Sequence, residues 1–370
     1  MSVAALRRWF VEQALPLWGS AGFDAREDQF VEQIAFDRTP LLDVPRRAMA
    51  QARQIYVFGL AHERGWFQGG DQLAELAYRQ LIARYGEAGG TRGWAFSADR
   101  SGRIVDARRD LYAQAFVLLA LATIRRLGGG AEPLRLAHET LAFMDAEMAV
   151  RAGGYLEATP GPVATRRQNP HMHLLEAFLA WHAVAPDEGF DARAWAIVDL
   201  LERRFLVHGV DDVALVECFD ERLAPLGGPD YAFEPGHHFE WIWLLSECAR
   251  LTGRSHAGLA QALWSSALRF GFRDDGAILD AVTISGRRLD SGVRLWPLTE
   301  ALKACGSRLA VPPGAIAREP DEIAETLLAT FLRPAQPGLW LDHFDSSGRL
   351  TRNNAPSSSL YHLCCALSQF

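Results

Sequence analysis

Apolar residues recur every three to four positions along most of the chain, the spacing that places them on one face of an α-helix. Every second helix of the series is richer in apolar residues than its neighbours, as in LYAQAFVLLALA and FEWIWLLSECA. We therefore expect the even-numbered helices to be buried and the odd-numbered helices to face solvent. The pattern predicts twelve helices, at residues 2–17, 45–64, 70–86, 107–127, 132–149, 168–185, 190–206, 235–252, 255–271, 291–305, 319–333 and 355–369.

The connections between these helices alternate in length. Those that leave an even-numbered helix are mostly short, whereas each even-numbered helix is entered through a longer segment with a strand-like run followed by turn residues, as in GLWLDHFDSSGRL. A repeat of roughly 60 residues follows, and self-similarity at such a period is typical of closed or solenoidal arrays. We predict an all-α protein, with residues 1–370 forming a single-domain (α/α)6 barrel that carries short β-hairpins at one rim.

The longer connections all fall at the rim where the inner helices begin. Helix N-termini present free N–H groups and a positive dipole end, which favour anionic groups. Histidines beside aromatic or acidic residues lie near three of these starts, in NPHMH, EPGHHFEW and SSSLYH. Because histidine can exchange protons near neutral pH, a catalytic site is expected at this mouth.

Composition narrows the choice of partner. The 370-residue chain has a net charge of −7 and no long basic run, which argues against a nucleic-acid partner. It also has no apolar run long enough for a signal peptide or a membrane span, so a cytoplasmic location is expected. The five cysteines have no CxxC spacing, which indicates reduced thiols rather than a zinc site or disulfides.

The chain contains a single lysine, Lys303. Schiff-base chemistry or a phosphate-binding lysine would have to use it, but it follows Glu300 by three residues on a helix, where an exposed ion pair is the favoured role. The nucleotide-binding motifs GxxxxGK[ST] and GxGxxG are absent from the sequence. We expect no cofactor.

Two helix starts offer pairs of polar side chains on one face. Asn169 and His173 are four residues apart and suit a site, although a helix cap and a core histidine explain them equally well. His237 and Glu240 suit a base and its orienting carboxylate. With His238 they could instead bind zinc, but HExxH spacing and a second ligand cluster are missing, and no metal is expected.

Further candidates come from the other inner helices. Trp296 and Glu300, also four residues apart, could hold a sugar or belong to the core, and Tyr112 is another candidate for sugar binding. His362 has apolar neighbours, which would keep its imidazole neutral. Arg53, among apolar and aromatic residues, suits a developing oxyanion or a structural ion pair.

The segments RQIYVF, NPHMHLLEA, PGHHFEW, RLWPLTEA and SSSLYH, in this order over residues 46–369, resemble the N-acylglucosamine 2-epimerase superfamily. That superfamily includes N-acylglucosamine 2-epimerases, cellobiose 2-epimerases and aldose–ketose isomerases of mannose or sulfoquinovose, on an (α/α)6 barrel without a required metal. The resemblance implies that Arg53 contacts the reacting oxygens and that His173 assists ring opening or hydroxyl binding. It implies that His237 and His362 are the acid/base pair and that Glu240 is the partner of His237.

The resemblance also assigns Trp296 and Glu300 to sugar binding, and we add Asn169 and Tyr112 to that group. Members of the superfamily often carry a bulkier polar residue where this chain has Ser358, which bears on the identity of the sugar. The short chain suggests the isomerase branch.

The resulting hypothesis is an isomerase of an unphosphorylated reducing sugar, D-mannose to D-fructose, acting through a cis-enediolate. A sugar 2-epimerase with two histidines on opposite faces is the alternative. A glycoside hydrolase would need two carboxylates about 5–9.5 Å apart, for which Glu240 and Glu300 are the candidates. A non-catalytic helical scaffold would need no converging polar groups. The expected partner is a monosaccharide, and a homodimer is left open.

Overall fold

The computed structural model describes residues 2–86, 92–161, 165–209, 213–307 and 318–370. Within these residues, twelve helices correspond one for one to the twelve that the apolar spacing predicts. They are α1 (Ser2–Trp9, Phe10–Ala14 and Leu15–Ser20), α2 (Ala48–Glu63), α3 (Gly70–Tyr85), α4 (Leu111–Arg126), α5 (Glu132–Glu147), α6 (Asn169–Val184), α7 (Phe190–Leu200 and Leu201–Phe205), α8 (Pro235–Thr252), α9 (Ala257–Gly271), α10 (Leu295–Gly306), α11 (Pro320–Leu327 and Leu328–Leu332) and α12 (Ser358–Leu367).

The even-numbered helices form a closed inner ring. Each packs against the next in chain order, from α2 through α4, α6, α8 and α10 to α12, and α12 packs back onto α2. Each odd-numbered helix after α1 packs on the outside against the inner helix that precedes it, and α1 contacts α11. The chain is an (α/α)6 barrel, as its pattern predicts.

The apolar composition of the inner helices explains their position. In α4, every residue from Leu111 to Ile124 except Tyr112 is buried, so the helix has no polar face to present to solvent. The outer helices are amphipathic and bury one stripe of residues each, such as Ala74, Ala77 and Leu81 in α3.

Short strands join the inner helices at the rim. A strand lies immediately before each inner helix and pairs with a strand from the next long connection, in the pairs β4–β5, β7–β8, β9–β12, β13–β14, β16–β17 and β18–β3. The last of these pairs joins the two ends of the ring. The strands are β1 (Phe23–Asp24), β2 (Gln29–Phe30), β3 (Gln33–Ala35), β4 (Arg46–Arg47), β5 (Ser97–Ala98), β6 (Ile104–Asp106), β7 (Arg109–Asp110), β8 (Ala158–Thr159), β9 (Arg166–Arg167), β10 (Leu206–His208), β11 (Val213–Leu215), β12 (Cys218–Phe219), β13 (Ala232–Phe233), β14 (Ala281–Thr283), β15 (Arg288–Asp290), β16 (Val293–Arg294), β17 (His343–Phe344) and β18 (Asn354–Pro356).

These strands correct several predicted helix starts. Residues 45–47, 107–110, 291–294 and 355–357 were expected to be helical but precede the helices. Strands β4, β7, β16 and β18 fall in these stretches, and their backbone groups bond to a neighbouring strand instead of to the next helical turn. The first helix is longer than predicted, because a π-helical turn at Phe10–Ala14 carries it on to Ser20.

All five cysteines are unpaired. Among the described residues, no helix is both long enough and apolar enough to cross a bilayer.

Candidate active site

A cavity of about 330 Å³ opens at the mouth of the inner ring, where the N-termini of the inner helices converge. It collects polar residues from all six inner helices and from the connections between them. The lining residues are Arg53, Tyr112, Arg167, Asn169, His173, Glu234, His237, Glu240, Arg294, Trp296, Asp342, Arg352, Ser358, Ser359 and His362. Eight of the nine residues singled out in the sequence lie here, and the ninth, Glu300, lies behind the wall.

His237 is held between a carboxylate and an amide. Its Nδ1 atom lies 3.0 Å from both carboxylate oxygens of Glu217, and the Asn169 side-chain amide lies 3.0 Å from its Nε2 atom. Gln168 donates to Glu217 at 2.9 Å, and the backbone N–H of Glu234 donates to the same carboxylate at 3.1 Å. The carboxylate that orients His237 therefore comes from a loop and is fixed by its own hydrogen bonds.

This environment favours the charged form of His237. Burial disfavours a charged imidazolium, but the carboxylates of Glu217 and Glu234 outweigh it and raise the pKa of His237 to about 9. Burial alone would raise the pKa of the Glu217 carboxyl. The neighbouring His237 imidazolium outweighs this effect and lowers the pKa. At neutral pH the pair is an ion pair, so His237 can donate a proton.

His362 is in the opposite state. Its Nδ1 atom lies 2.7 Å from Glu300 Oε1, which leaves Nε2 as the nitrogen available to the cavity. Burial lowers the pKa of His362 well below its ordinary value, and the nearby Arg53 guanidinium lowers it further. The imidazole is neutral near pH 7, as its apolar sequence neighbours predict, and can accept a proton at Nε2.

A third histidine–carboxylate pair lies deeper. His173 Nδ1 is 3.0 Å from Glu176, whose other oxygen accepts a hydrogen bond from the Tyr361 hydroxyl. Burial lowers the pKa of His173 well below its ordinary value. His173 is thus a buried, neutral ring that lines the cavity.

Arg53 projects toward the centre of the ring from α2. Its guanidinium donates to the Tyr112 hydroxyl at 2.6 Å and lies 4.1 Å from the Phe116 ring centre and 4.8 Å from that of Tyr361. Within the described part of the chain it has no ion pair with a carboxylate. The structural ion pair considered from the sequence is therefore not formed with any described carboxylate, and the charge of Arg53 faces the cavity.

Trp296 forms part of the cavity wall between His237 and His362. Its ring centre lies 4.9 Å from that of His237 and 5.7 Å from that of His362. Gly236 makes room for the indole, because a Cβ atom there would lie only 2.6 Å from the Trp296 ring. An aromatic face of this kind suits the apolar side of a sugar.

Three expectations about carboxylates and lysine are wrong. Glu240 does not orient His237; it lies 4.0 Å from His173 Nε2 and 3.6 Å from Lys303. Glu300 does not line the cavity, because its oxygens face His362 and Lys303. The Glu300–Lys303 pair forms as expected but is fully buried, since an inner helix has no face toward solvent.

Glu217 is the main site residue missing from the sequence-based set. It lies in a connection between β11 and β12, where neither helical spacing nor a motif links it to His237. Its position depends on the pairing of β9 with β12, a long-range contact. An acidic residue at the end of the apolar run VALVE was the only signal in the sequence.

In the part of the chain that the structure describes, three groups of side chains have ligand atoms within 4.8 Å of one another, close enough to hold a metal ion. They are His173–Glu176–Glu240, Glu217–Glu234–His237 and Glu240–Glu300–His362. The zinc set weighed from the sequence does not form, because both ring nitrogens of His238 are occupied by the Leu215 N–H and the Leu263 carbonyl.

Comparison with known proteins identifies the family of the chain. Residues 30–366 match the family model described as N-acylglucosamine 2-epimerase (GlcNAc 2-epimerase). The chain belongs to this family. Members of the family are sugar isomerases and epimerases, and the chain is an enzyme of that kind.

Individual relatives include both activities. The chain is 35% identical to a protein of Rhizobium meliloti (strain 1021) named mannose-6-phosphate isomerase, over 99% of this chain and 96% of that protein. It is 29% identical to the D-mannose isomerase of Thermobifida fusca, over 74% and 70% of the two chains. Among solved structures, a D-mannose isomerase has a TM-score of 0.86 at 17% identity over 99% and 97% of the chains. The cellobiose 2-epimerase of Bacillus thermoamylovorans B4167 has a TM-score of 0.84 at 19% identity over 100% and 99%.

Proposed function

We propose that this enzyme is an aldose–ketose isomerase of an unphosphorylated reducing sugar and converts D-mannose to D-fructose. The observation that carries the proposal is the opposite charge state of two histidines in one cavity. His237 is held as an imidazolium by Glu217, whereas His362 is held neutral with Nδ1 on Glu300. Two titratable groups whose pKa values are driven apart form an acid/base pair.

In the open-chain sugar, the C2 hydrogen is acidified by the adjacent C1 carbonyl. Nε2 of His362 accepts this proton, and the electrons of the C–H bond form the C1–C2 double bond of a cis-enediolate. The developing charge on O1 is met by Arg53, whose guanidinium Tyr112 orients. His237 donates a proton to O1 and can recover one from the O2 hydroxyl. Delivery of the His362 proton to C1 then gives the ketose.

A 2-epimerase would use the same side chains differently. If His237 delivered its proton to C2 on the opposite face from His362, the configuration at C2 would invert. The isomerase is favoured because one relative at 35% identity and two at 29% are named isomerases, whereas two relatives named cellobiose 2-epimerases are 22% identical.

Mannose 6-phosphate is the second candidate substrate, because the 35% identical relative is named for it. The charges at the rim favour the free sugar. Arg167 faces Glu157 at 3.0 Å and Arg294 donates to Glu234 at 2.8 Å, so these guanidinium charges are already balanced. Arg352 has a looser ion contact with Asp342, at 3.8 Å. A phosphate would have to compete with these carboxylates.

The hydrolase alternative has little support. Glu300, one of its two candidate carboxylates, is fully buried against Lys303 and does not line the cavity, so it is not placed to flank a glycosidic bond. A hydrolase would leave His237 and His362 without a role.

The test is incubation in deuterated water with mannose, fructose, glucose, N-acetylmannosamine and cellobiose, with exchange at C1 and C2 followed by NMR. We expect exchange with mannose and fructose and the appearance of the other sugar. His237→Ala and His362→Ala should each abolish the exchange while the far-UV circular dichroism is retained. The absence of exchange with every reducing sugar would refute an isomerase or epimerase.

A parallel reaction with mannose 6-phosphate separates the two substrates. We expect kcat/KM to be larger for mannose than for mannose 6-phosphate. The reverse order would make mannose 6-phosphate the substrate.

A cytoplasmic location belongs to the same proposal, and the unpaired cysteines support it. The net charge of −7 supports the absence of a nucleic-acid partner.

A further inference from the structure

The side chain of Lys303 ends among acidic groups behind the cavity wall. Its Nζ atom lies 2.5 Å from Glu300 Oε2, 3.6 Å from Glu240 Oε1 and 4.2 Å from the centre of the Trp243 ring. The side chain is fully buried, and Lys303 is the only lysine of the chain. A charged amine in such a place requires partners that offset its lost hydration.

Each of the two carboxylates around Lys303 also faces a histidine of the cavity. Glu300 uses its other oxygen to contact His362 Nδ1 at 2.7 Å. Glu240 lines the cavity and lies 4.0 Å from His173 Nε2. The lysine does not line the cavity, so it can affect the reaction only through these acids.

The charge on Glu300 decides which nitrogen of His362 carries the proton. An ionised Glu300 accepts the Nδ1–H and leaves Nε2 free to take a proton. A protonated Glu300 would donate to Nδ1 and move the ring proton to Nε2, where it would face the cavity. Burial raises the pKa of Glu300, and Lys303 is the strongest group acting against that rise.

We propose that Lys303 is a positioning residue, whose ammonium keeps Glu300 ionised against His362 Nδ1 and thereby reserves Nε2 for the proton of the substrate. This inference rests on the proposed function and adds to it a group that never touches the sugar. The ammonium lies between two carboxylates and an indole, so its positive charge is the property that the proposal requires.

The groups that act on this centre come from four other inner helices. Glu240 comes from α8, Glu176 from α6, Arg53 from α2 and Cys365 from α12, while Glu300 lies on the same helix as Lys303. Of these, the acids Glu240 and Glu300 stabilise the ammonium, and Arg53 assists it in opposing protonation of Glu300.

The first test is Lys303→Met, which keeps the length of the side chain and removes its charge. Without the ammonium, the pKa values of Glu300 and His362 both rise, and each must be unprotonated for catalysis. Activity is lost as the pH falls through these values, so the acid limb of the kcat profile moves to higher pH. We expect kcat at pH 7 to fall by about 10². The dissociation constant of D-mannitol, a linear sugar alcohol, should stay within about threefold because Lys303 does not touch the sugar.

Two further variants separate positioning from stability. Lys303→Arg keeps a cation and is expected to return the acid limb toward its wild-type position. Arg46→Met is the matched control, because it removes a fully buried cation paired with Asp24 at 2.7 Å, and neither residue lines the cavity. It should lower the thermal stability without moving the acid limb. A folded Lys303→Met enzyme with wild-type kcat and an unmoved acid limb would overturn the proposal.

The single lysine also allows a measurement on the wild-type enzyme. Protein labelled with ¹³Cε-lysine and carrying no lysine in any tag gives one side-chain resonance, whatever the fate of the variants. We expect this resonance to remain that of an ammonium up to pH 11 and to shift on addition of mannitol, because Glu240 lines the cavity. Titration near the ordinary pKa of about 10.4 would refute the buried ion pair.

The two proposals fail in different ways. If the wild-type enzyme exchanges no sugar proton, the proposed function is wrong, whatever Lys303 does. If the wild-type enzyme exchanges C2 hydrogen and Lys303→Met does so at the same rate with the same pH profile, only the role of Lys303 is wrong.

Discussion

The Nδ1 atom of His237 lies 3.0 Å from both oxygens of Glu217, a residue 20 positions earlier in the chain. This carboxylate opposes the effect of burial and, with Glu234, raises the pKa of the imidazole to about 9. His237 is therefore charged at neutral pH and loses its proton only as the solution becomes alkaline.

Glu217→Gln tests this relationship. In its proposed role as an acid, His237 must be protonated, so we expect the wild-type kcat to decline as the pH rises through about 9. In the variant the pKa of His237 falls, because burial is no longer opposed by the adjacent charge. The alkaline limb should move below pH 8, and kcat at pH 8 should fall by about 10². Initial rates from pH 5.5 to 10 give the profile. Glu221→Gln, at an exposed position in the same connection, is the control, and an equal shift there would contradict the assignment.

Glu300→Gln tests the tautomer of His362. The amide of the variant can donate to Nδ1, which places the ring proton on Nε2 and removes the acceptor for the C2 hydrogen. We expect kcat to fall by about 10²–10⁴, with mannitol binding within about threefold of wild type. Rates should be compared at a temperature at which both proteins are folded, because Lys303 loses its nearest partner. Glu325→Gln, which removes an exposed ion pair with Arg333, should leave kcat unchanged. Retention of half of the wild-type kcat by Glu300→Gln would rule out the role.

Arg53→Lys tests the oxyanion contact. A lysine keeps the charge but loses the planar fork that binds Tyr112 and faces the cavity. We expect kcat to fall by about 10²–10³, the effect of losing one preorganised oxyanion donor. Tyr112→Phe removes only the hydroxyl that accepts from Arg53 and should have a smaller effect, of about tenfold. Both are measured as exchange of the C2 hydrogen of mannose in deuterated water. If Tyr112→Phe lowered kcat more than Arg53→Lys does, the assignment of Arg53 as the oxyanion donor and of Tyr112 as the residue that orients it would be wrong.

Trp296→Leu tests the aromatic wall. The indole faces the cavity beside His237 and His362, and its loss should raise KM by about tenfold because a ring contact with the sugar is removed. Trp296→Phe keeps a ring and should raise KM less. Gly236→Ala places a methyl group against the indole and should resemble Trp296→Leu without any change in the aromatic residue itself. Initial rates with mannose give KM, and calorimetric titration with mannitol gives the dissociation constant of a sugar that does not react. Unchanged values in all three variants would exclude Trp296 from the sugar site.

The helices were predictable because their signal is local. Alternation of strongly and weakly apolar helices, as between α4 and α3, is visible in the sequence and is sufficient to indicate a double ring. The helix starts were less predictable, because β4 and β16 depend on pairing with strands about fifty residues away. The residues just before these helices show no local pattern that indicates pairing with such a distant strand, so the sequence does not reveal that the helix begins later.

The residues of the candidate site also differ in whether the sequence could reveal them. Arg53, His237 and His362 were accessible from the sequence because each lies close to the start of an inner helix, and the barrel brings those starts together. The partners of the histidines were not accessible. Glu240 is three residues from His237 on the same helix, but it is Glu217 that lies beside His237 Nδ1. Glu217 reaches this position because its loop folds over the N-terminus of the helix.

The pairing of β18 with β3 has a consequence for how activity arises during folding. The segment that closes the ring against β3 and α2 is the one that brings His362 to the cavity. A molecule whose last repeat has not docked therefore lacks both the β3–β18 pairing and His362, the proposed base, and we expect such an open form to be inactive. We therefore expect activity, after dilution from denaturant, to recover no faster than this segment docks.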